Sequence, residues 1–294
     1  MNYKKNSIKA LLGGFILLLV SSCGVPASTH KTTADSCNIA DKKLERVIEQ
    51  HLNISDKPSC SQLELLTYLS ANEQGIKSLN GLEHAPNISA ISLAGNQISD
   101  LGPIENIKGL KSLYMGNNLV EDLRPLAGLI NLSALDLSNN KLEDLNPIRN
   151  LVNLEMLALG GNMISNLEPL KNLNKLDELH LWSNQISNIS PLRSLSNLKK
   201  LVLVGNKISD ISAVRGLKAI EYLDLDGNFV NDLRVLLDSP GINAGDHIDM
   251  RYNCLIVGTD AADLVNPGYD NDDVYALFGK GILVEVNPQK ICAN

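Results

Sequence analysis

The chain has 294 residues, 44% of them apolar but only 4% aromatic, and a formal charge of −7. That length holds one or two domains, and a core poor in aromatics points to small, equivalent layers of leucine and isoleucine. Lysines and arginines are scattered without forming a basic stripe, which excludes nucleic acid as a general partner because phosphate binding needs clustered cations.

Lys4, Lys5 and Lys9 precede an uncharged apolar run at residues 10–20, ALLGGFILLLV. Eleven residues suffice for the centre of an export signal and are too few for a spanning helix. The run ends in Val20-Ser21-Ser22-Cys23. This resembles the bacterial lipoprotein signal, which implies a signal peptide at 1–22, cleavage before Cys23 and acylation of that cysteine, palmitate included. The other reading is an ordinary secretory signal with an incidental cysteine. In the lipoprotein family a residue other than Asp after the cysteine, here Gly24, implies sorting to the outer membrane of a Gram-negative cell. Loss of the signal removes three lysines and no acids, leaving a formal charge of −10. Residues 23–36 are polar and rich in Ser and Thr, a flexible tether reaching roughly 20 Å from the lipid as a random coil.

Asp41 stands before Leu44, Val47, Ile48 and Leu52, a helix N-cap followed by an apolar stripe at helical spacing. Residues 37–64 therefore read as an N-terminal cap.

Residues 87–240 are seven tandem units of 22 residues without insertion or deletion. Seven apolar slots recur per unit, first as Ile88, Ile91, Leu93, Ile98, Leu101, Ile104 and Ile107; of 49 slots only Ser239 departs. A degenerate unit extends the register upstream to residue 65. Leu135 and Leu137 flank Asp136, so a short strand turns both leucines inward. An asparagine follows the second strand leucine by three residues in every unit: Asn96, Asn118, Asn140, Asn162, Asn184, Asn206 and Asn228, with Asn253 beyond. An amide both donates and accepts, so stacked asparagines can satisfy the backbone of a turn buried between coils. Prolines at 103, 125, 147, 169 and 191 suit short 3₁₀ or irregular turns on the return side and forbid a strand there. One coil cannot stand alone: burying seven aliphatic side chains yields roughly 10–20 kcal/mol, against about 1–2 kcal/mol per residue for fixing the backbone. The coils must stack and be capped.

These motifs resemble the internalin-like class of bacterial leucine-rich-repeat proteins, most plainly in residues 176–192, LDELHLWSNQISNISPL. The resemblance implies an α/β solenoid: a leucine-rich-repeat horseshoe with a parallel sheet on the concave face and 3₁₀ or irregular turns on the convex face. It also implies protein binding at a cell surface. No immunoglobulin-like module or cell-wall sorting signal follows the repeats in this sequence, so host-cell invasion is not implied.

The strand and its asparagine return at residues 247–253 (HIDMRYN), 25 rather than 22 residues after Asn228. Residues 272–278 read as helix and 282–286 as a last strand, making 241–294 an α/β C-terminal cap. With Cys23 reserved for lipid, four cysteines remain. The ends of a long solenoid lie far apart, so Cys37–Cys60 and Cys254–Cys292 are the expected disulfides in an oxidising compartment.

Three variable positions per unit face the concave side. One column runs Ser92, Tyr114, Asp136, Ala158, His180, Val202, Asp224 and Asp249; the next runs Ala94, Gly116, Ser138, Gly160, Trp182, Val204, Asp226 and Arg251. The third runs Ala90, Ser112, Ala134, Met156, Glu178, Lys200, Tyr222 and His247. The early units offer mostly Ser, Ala and Gly. From the fourth onward the face holds Met156, Glu178, His180, Trp182, Lys200, Val202, Val204, Tyr222, Asp224, Asp226, His247, Asp249 and Arg251, the expected contact set for a protein partner. The sole tryptophan among apolar and charged neighbours has hot-spot composition; the other reading is that it shields the sheet. His180 and His247 lie three strands apart with no nucleophile beside them, so no catalysis is expected. Asp224, Asp226 and Asp249 do not by themselves argue for a metal, and no cofactor is implied. The expectation is a monomeric envelope lipoprotein, held to the membrane by its lipid and binding a protein ligand. The alternatives are a structural envelope organiser and an intracellular regulator resembling the leucine-rich subunit of protein phosphatase 1.

Overall fold

The computed structural model describes residues 36–254 and 271–285. The signal segment, Cys23, most of the tether and Cys292 lie outside the described residues. Ten three-residue strands form one parallel sheet in chain order: β1 Tyr68–Ser70, β2 Ala90–Ser92, β3 Ser112–Tyr114, β4 Ala134–Asp136, β5 Met156–Ala158, β6 Glu178–His180, β7 Lys200–Val202, β8 Tyr222–Asp224, β9 His247–Asp249 and β10 Leu283–Glu285. The sheet is open, and short turns return behind it, the arrangement of a leucine-rich-repeat horseshoe. Equivalent slots pair across every ladder, as in Leu135 with Leu157 and Leu157 with Leu179. A 22-residue period therefore becomes a stack of identical layers, and the slot leucines and isoleucines are almost wholly buried.

The asparagines hold the coils together. In Asn140, Oδ1 accepts from Val120 N–H at 2.9 Å, while Nδ2 donates to the Met115 and Leu137 carbonyls, each at 3.0 Å. The same pattern repeats from Asn96 to Asn228, and Asn253 continues it despite the register break. Each amide thus links its own turn to the preceding coil and satisfies backbone groups that no water reaches.

Where proline is present, the return side is 3₁₀: Gly102–Ile104, Arg124–Leu126, Asn146–Ile148, Glu168–Leu170 and Ser190–Ser194. Ser212–Gly216 keeps this form without proline, whereas Arg234–Leu237 winds into an α-helical turn. A second Asx column, not singled out in the sequence, caps these turns. Asp100, Asp122, Asp144, Asn166, Asn188, Asp210 and Asp232 each accept from the backbone N–H two residues on, at 2.7–3.0 Å.

At the N-terminal end α1, Lys42–Leu52, buries Leu44, Val47 and Ile48 against the first coil. Asp41 caps it and also accepts from Lys77 N–H at 2.7 Å, tying helix to repeat. Burial opposes the charge on Asp41, but four backbone N–H groups prevail and hold its carboxyl below the usual range. A short second helix, α2 (Cys60–Leu63), begins with a Ser59/Gln62 capping box. Cys37 and Cys60 are disulfide-bonded. At the other end α4, Asn271–Gly279, numbered after the Arg234–Leu237 turn (α3), buries Val274 and Leu277. Cys254 is disulfide-bonded; Cys292, its expected partner, lies outside the described residues. Among the described residues no helix is long and apolar enough to cross a membrane.

Candidate functional site

The strand alternation that buries Leu157, Leu179 and Leu201 sends the residues beside them to the opposite, inner face. From β1 to β4 this face is built mostly of Ser, Ala and Gly; Tyr68, Tyr114 and Asp136 are its larger members. Beyond β4 it changes character.

Trp182 lies flat on the preceding coil. A Cβ built on Gly160 would fall 2.1 Å from Trp182 Cε2, so the indole occupies the space that any other residue would need. One ring face is covered by Gly160 and Gly161, and the residue remains partly exposed. The tryptophan therefore both shields the sheet and offers an aromatic surface, uniting two readings that the sequence kept apart.

Polar contacts run from there toward the C-terminal end. His180 Nε2 donates to Glu178 Oε1 at 2.6 Å, and Lys200 Nζ donates to the same oxygen at 2.8 Å. The His180 hydrogen bond, with help from Lys200, holds the Glu178 carboxyl at about 2 although burial opposes it. Lys200 Nζ also sits 6.0 Å from the centre of the Tyr222 ring. Tyr222 stacks on His247, with ring centres 5.2 Å apart and planes 5° from parallel. Burial, then the neighbouring carboxylates of Asp224 and Asp249, push the Tyr222 hydroxyl well above its ordinary range.

Asp224 receives the Asp226 backbone N–H at 3.1 Å and the Tyr222 hydroxyl at 3.4 Å. Burial pushes its carboxyl up to about 7; the Asp226 N–H and Arg251 oppose this, while Asp249 and Asp226 add to it. Asp249 is gripped by the Arg251 guanidinium, Nε lying 2.9 Å from Oδ1 and 3.0 Å from Oδ2. Arg251 Nε and His247 Nε2 each stand 3.5 Å from a Glu285 oxygen.

Met156, Glu178, Trp182, Lys200, Val202, Val204, Tyr222, Asp224, His247 and Arg251 are part-exposed on this face. The other three members of the expected contact set, His180, Asp226 and Asp249, are only 5%, 5% and 2% exposed. They serve as supports beneath the surface rather than as surface themselves. Sequence reasoning missed three residues on the same face. Tyr68 begins it at 58% exposure with His51 edge-on at 5.1 Å, and Leu283 and Glu285 extend it in register with His247 and Asp249. Tyr68 was available from the 22-residue period, whereas the long break after Asn253 hid the register of β10.

Among the described residues, the only three His, Cys, Asp or Glu residues whose ligand atoms converge within 4.8 Å of one another are Cys37, Cys60 and His84. Both sulfurs are committed to the disulfide there, so that group is not a metal site.

A leucine rich repeat family model matches residues 174–229, and a model of two such repeats matches 86–128, 108–150, 130–172 and 152–194. The structure resembles an internalin (inlF) from Listeria monocytogenes with a TM-score of 0.74 at 27% identity, over 86% of this chain and 77% of that one. It resembles internalin C2 of the same organism with a TM-score of 0.67 at 28% identity, over 72% and 97% of the two chains. The chain carries leucine-rich repeats and is internalin-like in fold. At 14% identity a TDR receptor shares only the fold, with a TM-score of 0.59 over 77% of this chain and 41% of that one. This internalin-like chain therefore carries a scaffold suited to protein interaction. Its invariant slots serve the core, so selectivity rests on the variable inner positions.

Proposed function

We propose that this protein is a cell-envelope lipoprotein, anchored through Cys23, that captures a protein partner on the inner face of its solenoid from β5 to β10. The observation that carries the reading is the unevenness of that face. Large part-exposed side chains, with Trp182, Lys200, Tyr222 and Arg251 foremost, gather on the later strands of a sheet whose early strands, Tyr68 and Tyr114 apart, carry mostly small residues. Trp, Tyr and Arg are the residue types that dominate interface energetics, and a patch across these strands would bury on the order of 800 Å² per partner. The Cys37–Cys60 disulfide supports an oxidising compartment and disfavours an intracellular regulator. The lysine-led apolar segment ending at Cys23 supports export and lipidation.

Trp182→Ala tests the binding site. The indole rests on the surface of the sheet rather than in the core, so the variant should keep its melting temperature while losing capture of the partner. Undiminished capture would move the site off this face. Palmitate labelling tests the anchor: label lost in Cys23→Ser supports it, and label retained contradicts it.

A further inference from the structure

Resting on the lipid anchor proposed above, we infer that the return side of the third to sixth repeats lies against the membrane, bound to the phosphate groups of an anionic lipid surface. In sequence order the cations of this side look dispersed. The period aligns them: Arg149, Lys171, Arg193 and Arg215 stand 22 residues apart, each at the close of a 3₁₀ turn. Those turns stack one on the next, and all four side chains are exposed. At ordinary strand separation they form a line about 15 Å long. The return segments 147–153, 169–175, 191–197 and 213–219 hold these four with Lys175 and Lys218, six cations and no carboxylate. Lys171 pairs with Glu168, and Arg215 with Asp238 at 3.1 Å, both in exposed pairs of the weak kind. Among the described residues the other four cations have no ion pair. In a chain of formal charge −7 this stripe is where an anionic bilayer attracts rather than repels.

A second feature selects lipid among polyanions. Val152, on the return segment of Arg149, is 46% exposed, and Ile130, its equivalent one repeat earlier, is 54% exposed. The pair joins the stripe directly: Lys175 Nζ donates to Asn153 Oδ1 at 2.7 Å, and Asn153 Nδ2 donates to the Ile130 carbonyl at 2.8 Å. Cations edged by exposed aliphatic side chains suit a headgroup layer, where charge meets phosphate and the aliphatics enter the acyl boundary. Single-stranded nucleic acid calls for aromatic platforms, and the four segments contain no aromatic residue. A tether reaching roughly 20 Å allows this contact. With the return side down, the inner face of β5–β10 is turned away from the bilayer and stays open to a protein partner.

The test places the full chain, purified from membranes, on vesicles of phosphatidylcholine alone or mixed equally with phosphatidylglycerol. A fluorophore on Asn172→Cys, exposed beside Lys171, is read against a headgroup-bound quencher. Quenching should be strong on the anionic vesicles, weak on the neutral ones, and weak on both for a fluorophore on the inner face at Val202→Cys. Each cation contributes roughly a fivefold preference for an anionic surface, so Arg149→Gln with Arg193→Gln should lower the ratio of docked to undocked molecules at least about tenfold. Lys111→Gln with Lys207→Gln, an equal charge change at exposed residues outside the return segments, should alter it less than twofold. Equal quenching on the two vesicles, equal loss in the two double variants, or binding of an oligothymidylate with the fluorophore unquenched would overturn the proposal. Flotation with the neutral vesicles reads the anchor separately. A chain that fails to float with them contradicts the anchor; the stripe is then read by flotation with the anionic vesicles, expected for the parent and lost in Arg149→Gln with Arg193→Gln.

Discussion

Asn140→Ala removes one rung of the ladder at the middle of the solenoid, and the contacts divide its cost unevenly. The Met115 carbonyl still receives Asn118 Nδ2 at 3.0 Å, and the Leu137 carbonyl still receives Asn162 Nδ2 at 3.1 Å. The Val120 N–H has no such reserve: Asn140 Oδ1 accepts it at 2.9 Å, and Val120 is fully buried. Orphaning that donor costs about 1–3 kcal/mol, and the two lost carbonyl bonds add about 0.5–1.5 kcal/mol each. The sum is about 2–6 kcal/mol, a fall in melting temperature of about 10 °C at mid-range for a domain of this size. Thermal unfolding followed by circular dichroism reads the total, and hydrogen exchange at the Val120 amide reads the mechanism. A midpoint within about 1 °C of the parent, with that amide still protected, would refute the assignment of the ladder as the link between coils.

Gly160→Val should displace Trp182 and red-shift its fluorescence with little change in unfolding midpoint, because the clash lies on the sheet surface; an unmoved spectrum would deny the seat. Replacing Cys37 and Cys60 together by serine should cost about 3 kcal/mol by the chain-entropy relation, with α1 losing hydrogen-exchange protection first; unchanged protection there would make the bridge dispensable. Asp224 binds its proton more tightly in the folded state, up to about 7. Folding stability should therefore fall as pH rises from about 4 to about 7, and Asp224→Asn should raise the midpoint at pH 8 but not at pH 4. Glu178 has the opposite sign: its carboxyl is held at about 2, so its contribution is present above the unfolded value and lost as pH falls toward 2. Glu178→Gln should flatten that acid limb, and an unchanged limb would contradict the His180–Glu178 pairing.

Periodicity made the solenoid readable because a slot such as Leu135 must meet its equivalent Leu157 one layer on, and any insertion would break every layer. The ladder was readable for the same reason, as was α1, whose cap and stripe are local. Depth was not. Alternation gives the side of the sheet on which His180 stands, but not that it lies between Ala158 and Val202 on adjacent strands and turns to Glu178. Asp249 is covered by Arg251, a neighbour two residues along, which a column of residue types does not reveal. The outer Asx caps were legible in principle, since Asp or Asn recurs at 100, 122, 144, 166, 188, 210 and 232. Strand β10 was not, because its place beside β9 depends on a connection that breaks the period.

The stability–function relation on the inner face follows from the same contacts. Asp224 is crowded by burial and by like charges, a strain that the core gains nothing from. Asp224→Asn should therefore stabilise the fold above pH 7, where the parent carboxyl must ionise among these groups.

The most direct test of a binding inner face is photo-crosslinking in intact cells, with a photoreactive residue placed at Val202 and, separately, at Glu143. Val202 is part-exposed between the Trp182 and Tyr222 repeats, and Glu143 is exposed away from the strands. One dominant protein adduct from Val202, absent from Glu143 and lost when Trp182→Ala is added, is the expected result. Adducts of equal strength from both positions, or from Glu143 alone, would contradict it.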